Sequence, residues 1–169
     1  DTLLKIMPDV FGEMSTFTEG TSPLPIETEI GKIGVVICYE SIYPRIARST
    51  VRNDAEIISI ISNDSWFGKS NAMYQHHNHA ILRAVENNRY VLRVSSTGVT
   101  SVISPTGEIT DYAEPFKEET LKAYVTTIKK RSLYSIIGDI IIIPSATIFI
   151  YSVILYFLQG NKKLPYPQH

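Results

Sequence analysis

KIGVVICYESIYPRIARSTVRN, residues 32–53, decides the architecture. Its first seven residues are an apolar, β-branched run bounded by Gly31, which predicts a buried strand over 32–38 that ends at Cys38. From Ser41 to Asn53 the apolar residues Ile42, Ile46, Ala47 and Val51 recur at helical spacing, with Arg45, Arg48 and Arg52 on the other face. The chain therefore turns from strand to helix at the cysteine, and a strand-to-helix elbow is the unit from which an α/β sheet is built.

Outward from this elbow the same alternation repeats. EIISIIS, residues 56–62, predicts a second buried strand, followed by the polar stretch NDSWFGKSN and a helix over 72–88. Residues 90–95, 100–104, 108–112 and 121–127 read as further strands, with Pro105-Thr106-Gly107 as a tight turn between two of them. Residues 1–30 are punctuated by Pro and Gly, carry weak helical hints around Leu3 to Met7, and read as a connecting arm. The expected fold class is α/β with a mixed sheet.

Composition narrows the class. A chain of 169 residues that is 44% hydrophobic and 20% charged can bury a core, which excludes a disordered tail, a collagen-like fibre and a disulfide-stapled miniature. A net charge of −1 without a basic stripe argues against a nucleic-acid partner. The charge is unevenly placed: Lys162 and Lys163 are the only charged residues after Asp139, which leaves fourteen basic against seventeen acidic before them, a net −3. Residues 140–161, IIIIPSATIFIYSVILYFLQGN, are 22 residues without a charge. As a helix they would cover roughly 33 Å, enough for a bilayer, with Pro144 in the first turn where a missing N–H costs little. The alternative is a buried core helix or strand pair. Lys129, Lys130 and Arg131 before the run balance the lysines after it, so charge does not choose an orientation. The expected division is a catalytic-type domain over 1–134, a transmembrane helix over 135–160 and a tail over 161–169. With Asp1 in place of an initiator Met and no signal peptide, the chain reads as the C-terminal portion of something longer.

Cys38 is the only cysteine and so has no intramolecular disulfide partner. Its place between a strand and a helix start matters, because amides there stabilise a thiolate and can hold a developing oxyanion. Glu40, two residues on, can orient a neighbour or accept a proton, although a carboxylate beside a thiol also opposes thiolate formation. Ser62 to Gly68 places Trp66 and Phe67 in a small polar turn after a strand, which reads as a pocket wall. His76, His77 and His79 cluster at the start of the second helix, without an acidic or cysteine ligand at metal-binding spacing; their expected role is hydrogen bonding that pins the aromatic loop to the helix. Arg83 and Glu86 should pair at i, i+3, and Gly98 should permit a bend near the sheet edge.

Together GVVICYESIYP, IISNDSWFGKSNAMYQHHNHAILRAVENNRYVLR, STGVTSVISPTGEI and the later YSIIGD ahead of an apolar run resemble the apolipoprotein N-acyltransferases, the membrane-bound branch of the nitrilase (carbon-nitrogen hydrolase) superfamily. The resemblance covers roughly Met14 to the end. It implies a nitrilase-type αββα sandwich, partial in this chain, that faces the periplasm from a bacterial inner membrane and is followed by one C-terminal transmembrane helix. It implies lipoprotein maturation. A cysteine takes an acyl chain from a phospholipid as a thioester and passes it to the α-amino group of a diacylglyceryl apolipoprotein.

By the same resemblance Cys38 is the nucleophile, the amide of Tyr39 contributes to an oxyanion hole, Glu40 is a catalytic supporting residue, and Trp66, with Asn63 and Phe67, forms the substrate-binding wall. No cofactor and no metal are implied. The family also uses a glutamate base and a lysine upstream of the cysteine. Lys5 and Phe11-Gly12-Glu13 echo them at spacings too short for this branch, so neither is assigned, and the fragment alone is expected to be inactive. A further departure is Ser95-Ser96-Thr97-Gly98, where the family commonly has an asparagine before Thr-Gly. The alternatives are a nitrilase-type amidase acting on a small amide and a non-catalytic membrane-anchored relative.

Overall fold

The computed structural model describes residues 22–160; Lys5, the Phe11-Gly12-Glu13 echo, the hints around Leu3 to Met7 and the tail over 161–169 lie outside them. Six strands form one mixed sheet in chain order: β1 (Ile26–Thr28), β2 (Gly31–Ile37), β3 (Ile57–Ser62), β4 (Val91–Ser95), β5 (Thr100–Ile103) and β6 (Ile109–Ala113). The central β2, β3 and β4 run parallel, and each crossover between them is a helix: α1 (Pro44–Arg52) and α2 (Ala72–Asn87). The outer pairs β1/β2, β4/β5 and β5/β6 are antiparallel.

Register explains where the core lies. Gly34, Ile58, Val91 and Ile103 form one cross-strand row, and Val36, Ile60 and Arg93 belong to the next row on the same face. These positions are buried and pack with Ala47, Val51, Ala80 and Ala84 of the two helices. The opposite face carries the row Ile37, Ile61 and Val94, each more than half exposed. One sheet with one helical layer is half of the expected sandwich.

Two expectations about strands need correction. The arm over 1–30 ends in a strand: Ile26, Glu27 and Thr28 pair with Ile33, Lys32 and Gly31 around a tight turn. Gly31 takes φ +126, and Lys32 closes an ion pair on Glu27 at 3.0 Å. Conversely, residues 121–127 do not join the sheet. They run irregularly across its open face, where Leu121, Ala123 and Val125 face Leu92 and Val102 across a cavity of about 440 Å³. Alternation there records which side chains lean on the sheet, with no ladder of backbone bonds behind it.

Residues 135–160 do not form one helix. The chain makes a short helix α3 (Leu133–Ile137), turns at Gly138 (φ +63) and enters α4 (Ile142–Gly160). α3 is tied to the helical layer. Arg48 Nε and Nη2 donate to the carbonyls of Ser135 (3.2 Å) and Ile136 (2.9 Å), and the Ser132 hydroxyl donates to Glu86 O at 2.5 Å. Among the described residues no helix is long and apolar enough to cross a membrane. Nineteen residues rise roughly 28 Å. Ile148, Phe149, Ile150, Tyr151, Ile154 and Phe157 of α4 are all more than half exposed.

Candidate functional site

The parallel strands carry their loops to one end of the sheet, and the elbow after β2 sits there. Cys38–Ile42 form a tight turn of 3₁₀ helix, and Cys38 opens it at φ +49, a left-handed conformation rare outside glycine. Three interactions hold that turn. The Glu40 carboxylate folds back to accept from Ile37 N–H at 2.8 Å, the Ser41 hydroxyl donates to the Cys38 carbonyl at 2.8 Å, and the His76 ring reaches the same carbonyl at 3.2 Å. A strained residue persists when its surroundings over-determine it. The cysteine is half-buried, while Tyr39 and Glu40 are exposed.

Behind the elbow lies a polar core that the sequence reading did not identify. Asp64, one residue past the β3 loop's Asn63, is 1% exposed. Its carboxylate accepts from the Ser62 hydroxyl (2.6 Å) and Arg93 Nη2 (2.6 Å), and Oδ1 lies 2.9 Å from His76 Nδ1. Burial alone would raise the Asp64 carboxyl; the hydrogen bonds from His76 and Ser62 and the charge of Arg93 outweigh it and hold it well below the usual range. Arg93 occupies an inward sheet position at 0% exposure, where burial lowers its guanidinium and Asp64 opposes the shift. Neighbouring His77 turns to Ser101 Oγ at 2.8 Å, and burial pushes it down to about 4.

Helix α2 is the brace common to both. Besides His76 it sends Arg83, 2% exposed, to the carbonyls of Ser41 and Ile42 at 3.3 Å, while Arg83 Nη2 pairs with Glu86 at 2.9 Å, the expected i, i+3 contact. The expected role of the histidines in pinning the aromatic loop to the helix has a geometric counterpart in His76. It bonds Asp64 at the base of that loop and meets the Phe67 ring in a T-shaped contact at 5.6 Å.

The structure gathers most of the sequence-derived site residues and leaves one apart. Tyr39 stands edge-on to Tyr43 (6.3 Å) and tilted over His76 (6.2 Å). Asn63 Oδ1 accepts from Ser65 N–H and from the Ser96 hydroxyl at 2.7 Å, tying the aromatic turn to the loop after β4. Phe67 faces inward, whereas Trp66 is 88% exposed and belongs to no packed wall among the described residues. Gly98 proves necessary for space: a Cβ there would run into the Asp64 carboxylate. The signal that could have exposed this core was Arg93, a charge at an inward position of a β-branched strand.

No carboxylate or imidazole is hydrogen-bonded to the Cys38 thiol among the described residues, and they contain no cluster of three or more side chains able to hold a metal ion. The arrangement presents a thiol on a rigid turn beside an exposed aromatic loop.

The carbon-nitrogen hydrolase family model matches residues 4–131. The apolipoprotein N-acyltransferase of Geobacter metallireducens is 34% identical over 138 residues, which is 82% of this chain and 26% of that protein. Its counterpart from Pasteurella multocida is 32% identical over 164 residues, 95% of this chain and 30% of that protein. The chain thus spans between a quarter and a third of these relatives' length. Among solved structures, a carbon-nitrogen hydrolase from Helicobacter pylori superposes with a TM-score of 0.55 at 21% identity, covering 60% of this chain and 43% of that one. An amidase from a Nesterenkonia species gives 0.50 at 15% identity, over 59% and 40%. Both likenesses are of fold.

Proposed function

The chain belongs to the carbon-nitrogen hydrolase family, and from that premise we propose that it carries the nucleophile of an apolipoprotein N-acyltransferase, with Cys38 in that role. The observation that carries the reading is the Cys38 turn itself: a left-handed cysteine at the end of a central parallel strand, its carbonyl tied from behind and its thiol without a hydrogen bond among the described residues. That geometry suits nucleophilic catalysis, in which the reacting atom must be held yet reachable.

In the first half-reaction the Cys38 thiolate attacks a phospholipid ester carbonyl. An Sγ–C bond forms, the ester C–O bond breaks, and the lysophospholipid leaves with a proton. In the second, the α-amino group of a diacylglyceryl-cysteine lipoprotein attacks the thioester; the new C–N bond replaces the C–S bond, the amine gives up a proton and the thiol is regenerated. The Tyr39 amide serves the oxyanion, Glu40 holds the turn as the supporting catalytic residue, and Trp66 meets the acyl chain, with Phe67 and Asn63 shaping the loop beneath it. The base and the lysine that complete the reaction come from chain outside residues 22–160, so these residues alone do not turn over.

Both substrates are membrane-anchored, and the reading places the domain at the periplasmic face of a bacterial inner membrane through α4. The apolar surface on every side of that helix supports this, since such a surface is stable when lipid or protein covers it. The test is transfer of an acyl chain to a diacylglyceryl-cysteine peptide by a protein of the relatives' full length that contains this chain. Cys38→Ala should abolish transfer; undiminished transfer would overturn the assignment.

A further inference from the structure

We propose that His76 is a positioning residue for Cys38, acting through the cysteine's own carbonyl and held in place by Asp64. The inference rests on reading Cys38 as the nucleophile and adds a residue from a separate element to the machinery.

Cys38 needs such a residue because its backbone is in the left-handed region, at φ +49. Left to itself a non-glycine residue relaxes toward a right-handed or extended conformation, and that relaxation would swing the thiol by several bond lengths. The carbonyl that would have to rotate is gripped by two groups. Ser41 reaches it from within the same turn at 2.8 Å and moves with it. His76 reaches it from α2, 38 residues along the chain, at 3.2 Å, so this bond refers the cysteine to the helical layer.

A carbonyl oxygen only accepts, so the contact is made by the form of the ring that carries a proton on Nε2; the Ser41 hydroxyl, which donates to the same carbonyl, then stands toward Nε2, at 3.1 Å, as a second acceptor. The far side of the ring is held as firmly. Nδ1 lies 2.9 Å from Asp64 Oδ1 and 3.2 Å from Arg93 Nη2, and the Phe67 ring packs against the imidazole at a steep 67°. His76 and Asp64 are 4% and 1% exposed, so neither can exchange these partners for bulk water. The imidazole is a rigid spacer between a buried carboxylate and the carbonyl of the strained cysteine.

Because Cys38 is the only cysteine, its alkylation by iodoacetamide can be followed without ambiguity in the 169-residue chain in detergent. In His76→Asn the amide nitrogen occupies the Nδ1 end and falls short of the Cys38 carbonyl; in His76→Gln it reaches the Nε2 end. The expected result is a change of about tenfold in alkylation rate for His76→Asn, with His76→Gln close to wild type. His77→Asn, equally buried but bonded to Ser101, should leave the rate unchanged. Equal rates for the Asn and Gln variants, or a His77→Asn change as large as that of His76→Asn, would overturn the proposal.

Should His76→Asn fail to fold, the unsubstituted chain carries the test. With ¹⁵N-labelled histidine, alkylating Cys38 should displace the Nε2 signal of His76 and leave that of His77 in place. An unmoved His76 signal contradicts the relation. Alkylation needs no acyl substrate, so a protein that fails at acyl transfer yet shows this pattern refutes the function and keeps the positioning.

Discussion

Asp64 Oδ1 lies 2.9 Å from His76 Nδ1 in a core where both residues are almost wholly buried, and the other carboxylate oxygen is 2.6 Å from Arg93. The carboxylate joins the loop after β3, helix α2 and strand β4 in one polar knot directly behind the cysteine turn.

Asp64→Asn removes the charge that balances Arg93. Breaking a buried pair by neutralising one partner costs about 3–5 kcal/mol. Denaturant unfolding of the variant should therefore show a loss of that order, and the isosteric change rules out a simple cavity as its cause. A loss below about 1 kcal/mol, the scale of a surface pair, would contradict the buried network.

His77 makes stability depend on pH. Burial and then the charge of Arg93 depress it from 6.5 to about 4, so between those values the unfolded chain binds a proton that the native chain refuses. Stability should be steady above pH 6.5 and fall as pH drops toward 4, by about 2–3 kcal/mol at most. Asp64, held below the usual carboxylate range, loses its own contribution only at lower pH still. Urea melts of wild type and His77→Gln across this window test the sign: the variant should show a smaller fall, with the remainder from His79, which burial also lowers, and a wild type that gains stability on acidification would refute the account.

Arg89 controls the path from the sheet to α3. Its 1%-exposed guanidinium donates to Ala55 O at 2.8 Å, Asn88 O at 2.9 Å and Lys130 O at 2.8 Å. Arg89→Met should free residues 128–132, and their amides should exchange hydrogen faster by about tenfold or more while β3 stays protected. Unchanged exchange at Ile128, whose N–H bonds Glu56 O, would show that the strap holds without the arginine.

The elbow and its two flanking helices were legible because their signals are local. A β-branched run, a cysteine, then apolar residues at helical spacing leave one economical reading of residues 32–53. Strand β1 was not legible, since Ile26-Glu27-Thr28 is too short and polar to declare itself and forms by pairing with β2. Residues 121–127 misled for the converse reason: alternation marks burial on one side, and the sheet's open face supplies that without strand pairing. The polar knot was hidden by distance. Asp64 reads as one more loop residue until Arg93, 29 positions later, turns inward beside it.

The most direct test of the central claim is the intact mass of a full-length protein containing this chain, after incubation with phospholipid and no acceptor. The account predicts a gain of one acyl chain, mapped to Cys38, removed by hydroxylamine, and absent in Cys38→Ala. Acyl transfer that persists in Cys38→Ala, or turnover without any adduct at Cys38, would contradict it.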